Sequence, residues 1–162
     1  MKMTRHIAVR VNGRDVTSAV DVRKTVAEFI REDAALTGTH IGCDLGSCGA
    51  CTVLMNDKAV CACLVLAVQA DGAELITIEG LEEAPNRLHP LQQAFVEHDA
   101  LQCGFCTPGV IMNLYAFLKE NPNPDADDVR TALVGNLCRC GGYGNMVKAV
   151  LAAAARMRVA KE

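Results

Sequence analysis

Nine cysteines in 162 residues fall into two groups. Five lie between Cys43 and Cys63, in the stretch GCDLGSCGACTVLMNDKAVCAC, and four form two tight pairs, Cys103 with Cys106 in QCGFC and Cys138 with Cys140 in LCRC. Thiolate sulfur is a soft ligand for iron and zinc, and close pairs of thiols are redox-active, so the chemistry is metal ligation or dithiol exchange. An odd total leaves at least one thiol outside any sets of four.

In the first group Cys43, Cys48 and Cys51 are spaced C-x4-C-x2-C, the run that plant-type 2Fe-2S sites use and that a more distant cysteine completes. Cys61 and Cys63 both qualify as that fourth ligand. If CTVLMN and KAVCACLV pair as a hairpin, the two have like parity and share a face, so spacing does not choose between them. A cluster held by four thiolates is formally dianionic, and burying that charge requires donors directed at sulfur. Gly42, Gly46 and Gly49 permit positive backbone angles that bring amide N–H groups close. Zinc knuckles usually supply cysteines as two short pairs, and a Rieske-type centre needs two histidines where only His40 is near, so an iron–sulfur cage fits better.

In the second group each pair stands just ahead of a predicted helix, where the positive end of the macrodipole and unpaired amides favour a thiolate. Two such helix starts facing one another make a second four-thiolate site. Pro108, just after Cys106, suits a first helical turn. A thioredoxin-like reading of CGFC requires a preceding strand in a βαβ setting, whereas a helical pattern precedes it here. The second site is expected to be the more enclosed of the two.

The elements that position these residues divide the chain in two. HIAVRVNGRDVTSAV alternates apolar and polar residues on both sides of Asn12-Gly13, a hairpin signal. KTVAEFIRED follows with Val26, Phe29 and Ile30 on one helical face, and CTVLMN and AELITIEG read as further strands, giving a small half-open sheet over one helix. Near residue 80 the texture changes: EGLEEAPNRLHP is polar and carries two prolines, and alternation does not return. Four helical segments follow, in LHPLQQAFVEHDA, TPGVIMNLYAFLKEN, PDADDVRTALV and YGNMVKAVLAAAARM, and short loops make them a compact bundle. The expected division is residues 1–79 and 80–162, in an α+β chain.

Composition narrows the function. Apolar residues make up 51% of the chain, enough for a core, and a net charge of −3 without a basic block gives no electrostatic basis for nucleic-acid binding. MKMTRHIAVRVNGRD breaks its apolar stretch with charges, so neither a secretory signal nor a membrane span is expected, and the expected location is the cytoplasm. Thiols in a reducing compartment argue for metal ligation rather than a disulfide framework. No serine–histidine–acid set, phosphate loop or catalytic carboxylate pair is present, and His6, His40, His89 and His98 are scattered; no catalytic residue is assigned.

Taken together, TGTHIGCDLGSCGACTV, LVLAVQADG with ITIEGL, LQCGFCTPGVIM, NPNP and LVGNLCRCGGY resemble, in order and spacing, the small iron–sulfur subunit of the molybdenum hydroxylases, the xanthine oxidase and carbon monoxide dehydrogenase family. The resemblance implies an N-terminal plant-ferredoxin-like β-grasp domain and a C-terminal four-helix bundle, each with one 2Fe-2S cluster. Its C-x11-C interval selects Cys63 as the fourth ligand beside Cys43, Cys48 and Cys51, leaving Cys61 spare; Cys103, Cys106, Cys138 and Cys140 hold the second cluster. It further implies a large partner subunit with a molybdenum–pterin cofactor approached by Gln102 and Cys140, a medium partner subunit with FAD, and a heterotrimer or a dimer of heterotrimers. Electrons would pass from molybdenum through both clusters to flavin. The alternatives are a free-standing two-cluster ferredoxin or redox sensor, and a zinc-stapled interaction module. One departure is Gly141, where the family usually has threonine before its Gly-Tyr.

Overall fold

The computed structural model of the chain describes residues 3–82, 84 and 87–159. Strands β1 (Thr4–Val11) and β2 (Arg14–Asp21) form the expected hairpin. Its turn places both Asn12 and Gly13 at positive φ, 49° and 76°, the pairing whose twist matches the flanking strands. Helix α1 (Val26–Glu32) begins at a capping box in which the Glu28 amide donates to Thr25 Oγ1 and the Thr25 amide to the Glu28 carboxylate. Its Val26, Phe29 and Ile30 are buried, as the spacing predicts.

Strands β3 (Thr52–Met55) and β4 (Lys58–Cys61) make a second hairpin, and β5 (Glu74–Ile76) completes a mixed sheet in the order β2-β1-β5-β3-β4. Strand β5 runs parallel to β1 and antiparallel to β3. The apolar run in β3 lacks alternation because both its faces are covered. Val53 joins the core formed by β1, β2 and α1, whereas Leu54 points the other way into the core of the helical half.

The second half contains α2 (Pro90–Glu97), α3 (Thr107–Glu120), α4 (Ala126–Ala132) and α5 (Tyr143–Val159). Of the two prolines in the polar segment, Pro90 opens α2; Pro85 lies outside the described residues, as do Glu83 and Asn86. Asp125 caps α4 by accepting from the Asp127 and Asp128 amides, each at 2.8 Å. Leu91, Phe95, Val110, Leu114, Met146 and Val150 fill the shared core. The described residues are thus α+β, with a mixed sheet and five α-helices. No helix among the described residues is long and apolar enough to cross a membrane.

A polar seam joins the halves. The Leu137 amide donates to the Cys48 carbonyl at 2.9 Å, and the buried Asn136 side chain donates to the Gly49 carbonyl at 3.0 Å while accepting from Asn113 at 2.8 Å. The approach is close enough to require glycine on both sides. A Cβ at Gly49 would lie 2.3 Å from the Gly135 carbonyl oxygen, and one at Gly109 would lie 2.3 Å from that of Gly49. Gly144, at the start of α5, faces open space. Gly109→Ala is therefore expected to lower the unfolding free energy by about 1–3 kcal/mol through overpacking at the seam. Gly144→Ala should leave it unchanged or raise it by up to about 1 kcal/mol. Urea unfolding of the two variants checks this; a silent Gly109→Ala would contradict the seam's closeness.

Candidate metal centres

All nine cysteines are free thiols. In the first group, Cys43, Cys48 and Cys51 lie on the loop between α1 and β3, and Cys43 interacts with Cys48 while Cys51 interacts with Cys63. Strand β4 ends at Cys61, and the chain then turns through a single 3-10 turn, Ala62–Leu64. The parity argument that put Cys61 and Cys63 on one face presupposes a strand running through both, and it fails for that reason. Even so, the Cys61 thiol also reaches Cys51, so five sulfurs gather here.

The loop aims its amides at these sulfurs. The Ser47 amide donates to Cys43 Sγ at 3.2 Å, and amides of Leu45 and Cys48 point at the same atom. Led by the Leu45 donor, these bonds hold the Cys43 thiol down at about 7. Cys51 and Cys63 lie deeper: burial raises Cys51, and burial followed by the Cys51 contact pushes Cys63 up to about 11 despite the Gly46 amide. Gly46 and Gly49 take positive φ, 77° and 69°, as expected of this loop. Gly42 does not; its need is space, because a Cβ there would lie 3.0 Å from Cys48 Sγ.

The second group assembles from two loops. Cys106 is the N-cap of α3, and Cys138 and Cys140 lie just ahead of α5. Cys103 and Cys140 meet with 3.5 Å between sulfurs, and Cys106 meets Cys138. Burial and the Cys138 contact push Cys106 up to about 12. At Cys138 burial acts upward too, but the Gly142, Cys140 and Gly141 amides together with Cys106 outweigh it and lower the thiol. The Phe105 amide is the main cause lowering Cys103.

This site is not the more enclosed one. Cys103 and Cys140 are exposed, whereas in the first group Cys51 and Cys63 are buried and Cys43 and Cys48 half-buried. The reason is position: the Cys103–Cys140 pair sits at an edge flanked in sequence by exposed Gln102, Phe105 (48%) and Leu137 (57%).

Both donor sets fit a two-iron cluster. Four thiols in each group approach in pairs, Cys43 with Cys48, Cys51 with Cys63, Cys103 with Cys140 and Cys106 with Cys138, the division that two irons require, with amides pointed at sulfur; Cys61 is a fifth thiol within reach of Cys51. The Thr107 hydroxyl, next to Cys106, is buried without a hydrogen-bond partner and so is a donor still available at this end of α3.

Sequence reasoning overlooked the residues that hold the second loop. The Cys138 amide donates to the Tyr143 hydroxyl at 2.7 Å, which itself donates to the Asn136 carbonyl at 3.2 Å. His40 reaches from the first loop to the Phe105 carbonyl. The Tyr143 contacts have a faint local signature in the CRCGGY motif; His40 and Asn136 have none, because their partners lie 65 and 87 residues away.

Comparison with known proteins finds two iron–sulfur family models in the chain. A family model described as a 2Fe-2S iron-sulfur cluster binding domain matches residues 9–81, and one described as a 2Fe-2S binding domain matches residues 77–151. The chain is 52% identical over 145 residues to the nicotine 6-hydroxylase small subunit of Paenarthrobacter nicotinovorans, covering 90% of this chain and 87% of that one. It is 44% identical over 167 residues to the aldehyde oxidoreductase iron-sulfur-binding subunit of Escherichia coli, covering 94% and 72%. A chain of the solved quinoline 2-oxidoreductase from Pseudomonas putida 86 superposes with a TM-score of 0.92 at 42% identity, covering 96% of this chain and 97% of that chain.

In the chain stripped of metal, iodoacetamide is expected to label Cys43 at a rate that climbs through about pH 7, as its thiolate forms. Cys106, protonated up to about pH 12 and only 8% exposed, should stay unlabelled at pH 8. Peptide mass spectrometry over a pH series reads both rates; equal labelling of the two at pH 7 would contradict the environments described.

Proposed function

This chain belongs to the small iron–sulfur subunits of the molybdenum hydroxylases, a two-cluster electron-transfer subunit of an oxidoreductase complex, and from that premise we propose how its residues divide the work. Cys43, Cys48, Cys51 and Cys63 hold the first 2Fe-2S cluster, and Cys103, Cys106, Cys138 and Cys140 hold the second. When bound, each cluster takes up and returns one electron. The chain's own part is to supply eight sulfurs in pairs, to aim backbone amides at them, and to lock the two loops together through Leu137, Asn136 and Gly49. The observation that carries the assignment is the two-by-two approach of the thiols under convergent amides. Cys61 stays spare: it ends β4, whereas the Gly46 amide points at Cys63.

The domains are residues 1–79, a β-grasp fold, and 80–162, a four-helix bundle of α2 to α5. In support, β1, β2 and α1 share one core and the four helices another. The partners are a large subunit with the molybdenum–pterin cofactor and a medium subunit with FAD, in a heterotrimer or a dimer of heterotrimers. The chain conducts electrons from the former to the latter. Gln102 and Cys140 face the pterin; both are exposed at the edge of the second site. That exposed edge favours a subunit over a free-standing carrier. Placement in the cytoplasm belongs to the same proposal.

The ligand assignment is tested by metal content. Native chain is expected to carry about four irons, the number that eight thiolates hold as two clusters. Cys61→Ser should retain them all, and Cys63→Ser should keep about two and lose one of two reduced signals in electron paramagnetic resonance. Iron counts in the opposite order would reassign the fourth ligand.

A further inference from the structure

His40 belongs to neither thiol group, yet it is where the first loop grips the second. Its Nδ1 lies 2.8 Å from the Phe105 carbonyl oxygen, and the two rings stack with centroids 4.9 Å apart and planes inclined by 21°. A carbonyl oxygen only accepts, so Nδ1 carries the proton in this contact. The Phe105 ring also rests on Gly42, where a Cβ would fall 3.3 Å from Phe105 Cε1 and 3.0 Å from Cys48 Sγ. Phe105 stands between Cys103 and Cys106, and its own amide N–H faces the Cys103 sulfur, the leading cause that lowers that thiol. The residue is therefore held by its carbonyl, through His40, and by its ring, between His40 and Gly42, while its amide faces Cys103.

We propose that His40 is a positioning residue for the second cluster: by fixing the carbonyl and ring of Phe105 from the other loop, it keeps the Phe105 N–H trained on Cys103 Sγ and so sets that cluster's reduction potential. The inference rests on the ligand assignment above, in which Cys103 binds iron. The physical link is short. Only the φ and ψ angles at the Phe105 Cα separate the amide that meets sulfur from the carbonyl that His40 holds. Hydrogen bonds to cluster sulfurs favour the reduced, more negative state, so loosening this one lowers the potential. The effect reaches the second cluster from a side chain three residues ahead of the first cluster's Cys43, so the first cluster, whose loop amides do not depend on Phe105, should respond less.

The test is a redox titration followed by electron paramagnetic resonance on the full chain in its native assembly. The signal absent from Cys103→Ala identifies the second cluster, and iron and sulfide counts report its occupancy. His40→Ala, at full iron content, is expected to move that midpoint to more negative values. The expected shift is about threefold in the oxidised-to-reduced ratio at fixed poise, or about 28 mV for a one-electron couple at 59 mV per tenfold. His40→Asn, whose amide nitrogen takes the place of Nδ1 and donates to the same carbonyl, should recover most of the shift. If His40→Ala loses iron, His40→Phe keeps the stacking and removes only the donor, and the same direction is expected of it. A second-cluster midpoint unmoved at full iron content in His40→Ala, or in His40→Phe where that variant replaces it, overturns the proposal while leaving the ligand assignment intact. Both signals surviving in Cys103→Ala would instead overturn the ligand assignment.

Discussion

Crowding sulfurs is the constraint from which the rest of this structure follows. Two thiols 3.5 Å apart, as Cys103 and Cys140 are, cannot both ionise cheaply, and the buried Cys63 and Cys106 resist ionisation further, their thiols standing at about 11 and 12. Binding metal there must expel protons, and the resulting charge has to be met by donors that do not occupy space. Backbone amides meet both conditions, which explains why Cys43, Cys48 and Cys51 in one group and Cys103, Cys138 and Cys140 in the other lie on loops rather than within a strand or helix. It also explains why the side chains between the cysteines are small or turned outward: Asp44, Leu45 and Ser47 in the first loop, and Gly104, Phe105 and Arg139 in the second, are half-buried or exposed.

A loop that spends its amides on sulfur cannot stabilise itself by a regular ladder, so something else has to hold it. Here the two loops hold each other. The Cys48 carbonyl is taken by the Leu137 amide, the Gly49 carbonyl by Asn136, and the Phe105 carbonyl by His40. Each bond joins a residue within one position of a thiol in one group to the opposite loop, or to its immediate approach. The sheet and the helical half thus become one rigid support, and Leu54, crossing from β3 into the helical core, reinforces the same junction from below. For a conductor this rigidity is useful, since the separation between the two thiol groups is then set by packing at the seam rather than by a linker.

What could be read from the sequence is what is local. The C-x4-C-x2-C, C-x2-C and C-x-C spacings and the Asn12-Gly13 turn each operate over a few residues, and each marks a feature present in the structure. The readings that failed depended on where an element stops or what lies across from it. Treating Cys61 and Cys63 as one strand missed the 3-10 turn at Ala62–Leu64, because nothing in KAVCACLV breaks a strand. Expecting the second site to be enclosed ignored that helix N-termini converge on their thiols from one side only, leaving Cys103 and Cys140 outward. His40 and Asn136 were illegible for a simpler reason: their chemistry is ordinary, and their partners are remote in the chain.

The two sites share one further property, and it argues for what surrounds them. Large apolar side chains are exposed beside each: Leu45 (64%) and Leu64 (62%) at the first, Phe105 and Leu137 at the second, with Val134 (79%) just before it. In a free carrier these patches would cost solubility, and water at the exposed sulfurs would dissipate the electrostatic tuning that the amides supply. Covering both patches with partner surfaces removes the two costs at once. It would also carry the exposed Cys103 and Cys140 from a solvent edge into a low-dielectric interior, where each amide–sulfur bond counts for more. Gly141, at a φ of 74°, and Gly142 then matter beyond the turn they make, because a stretch without side chains just after Cys140 would let a covering surface approach the sulfur itself.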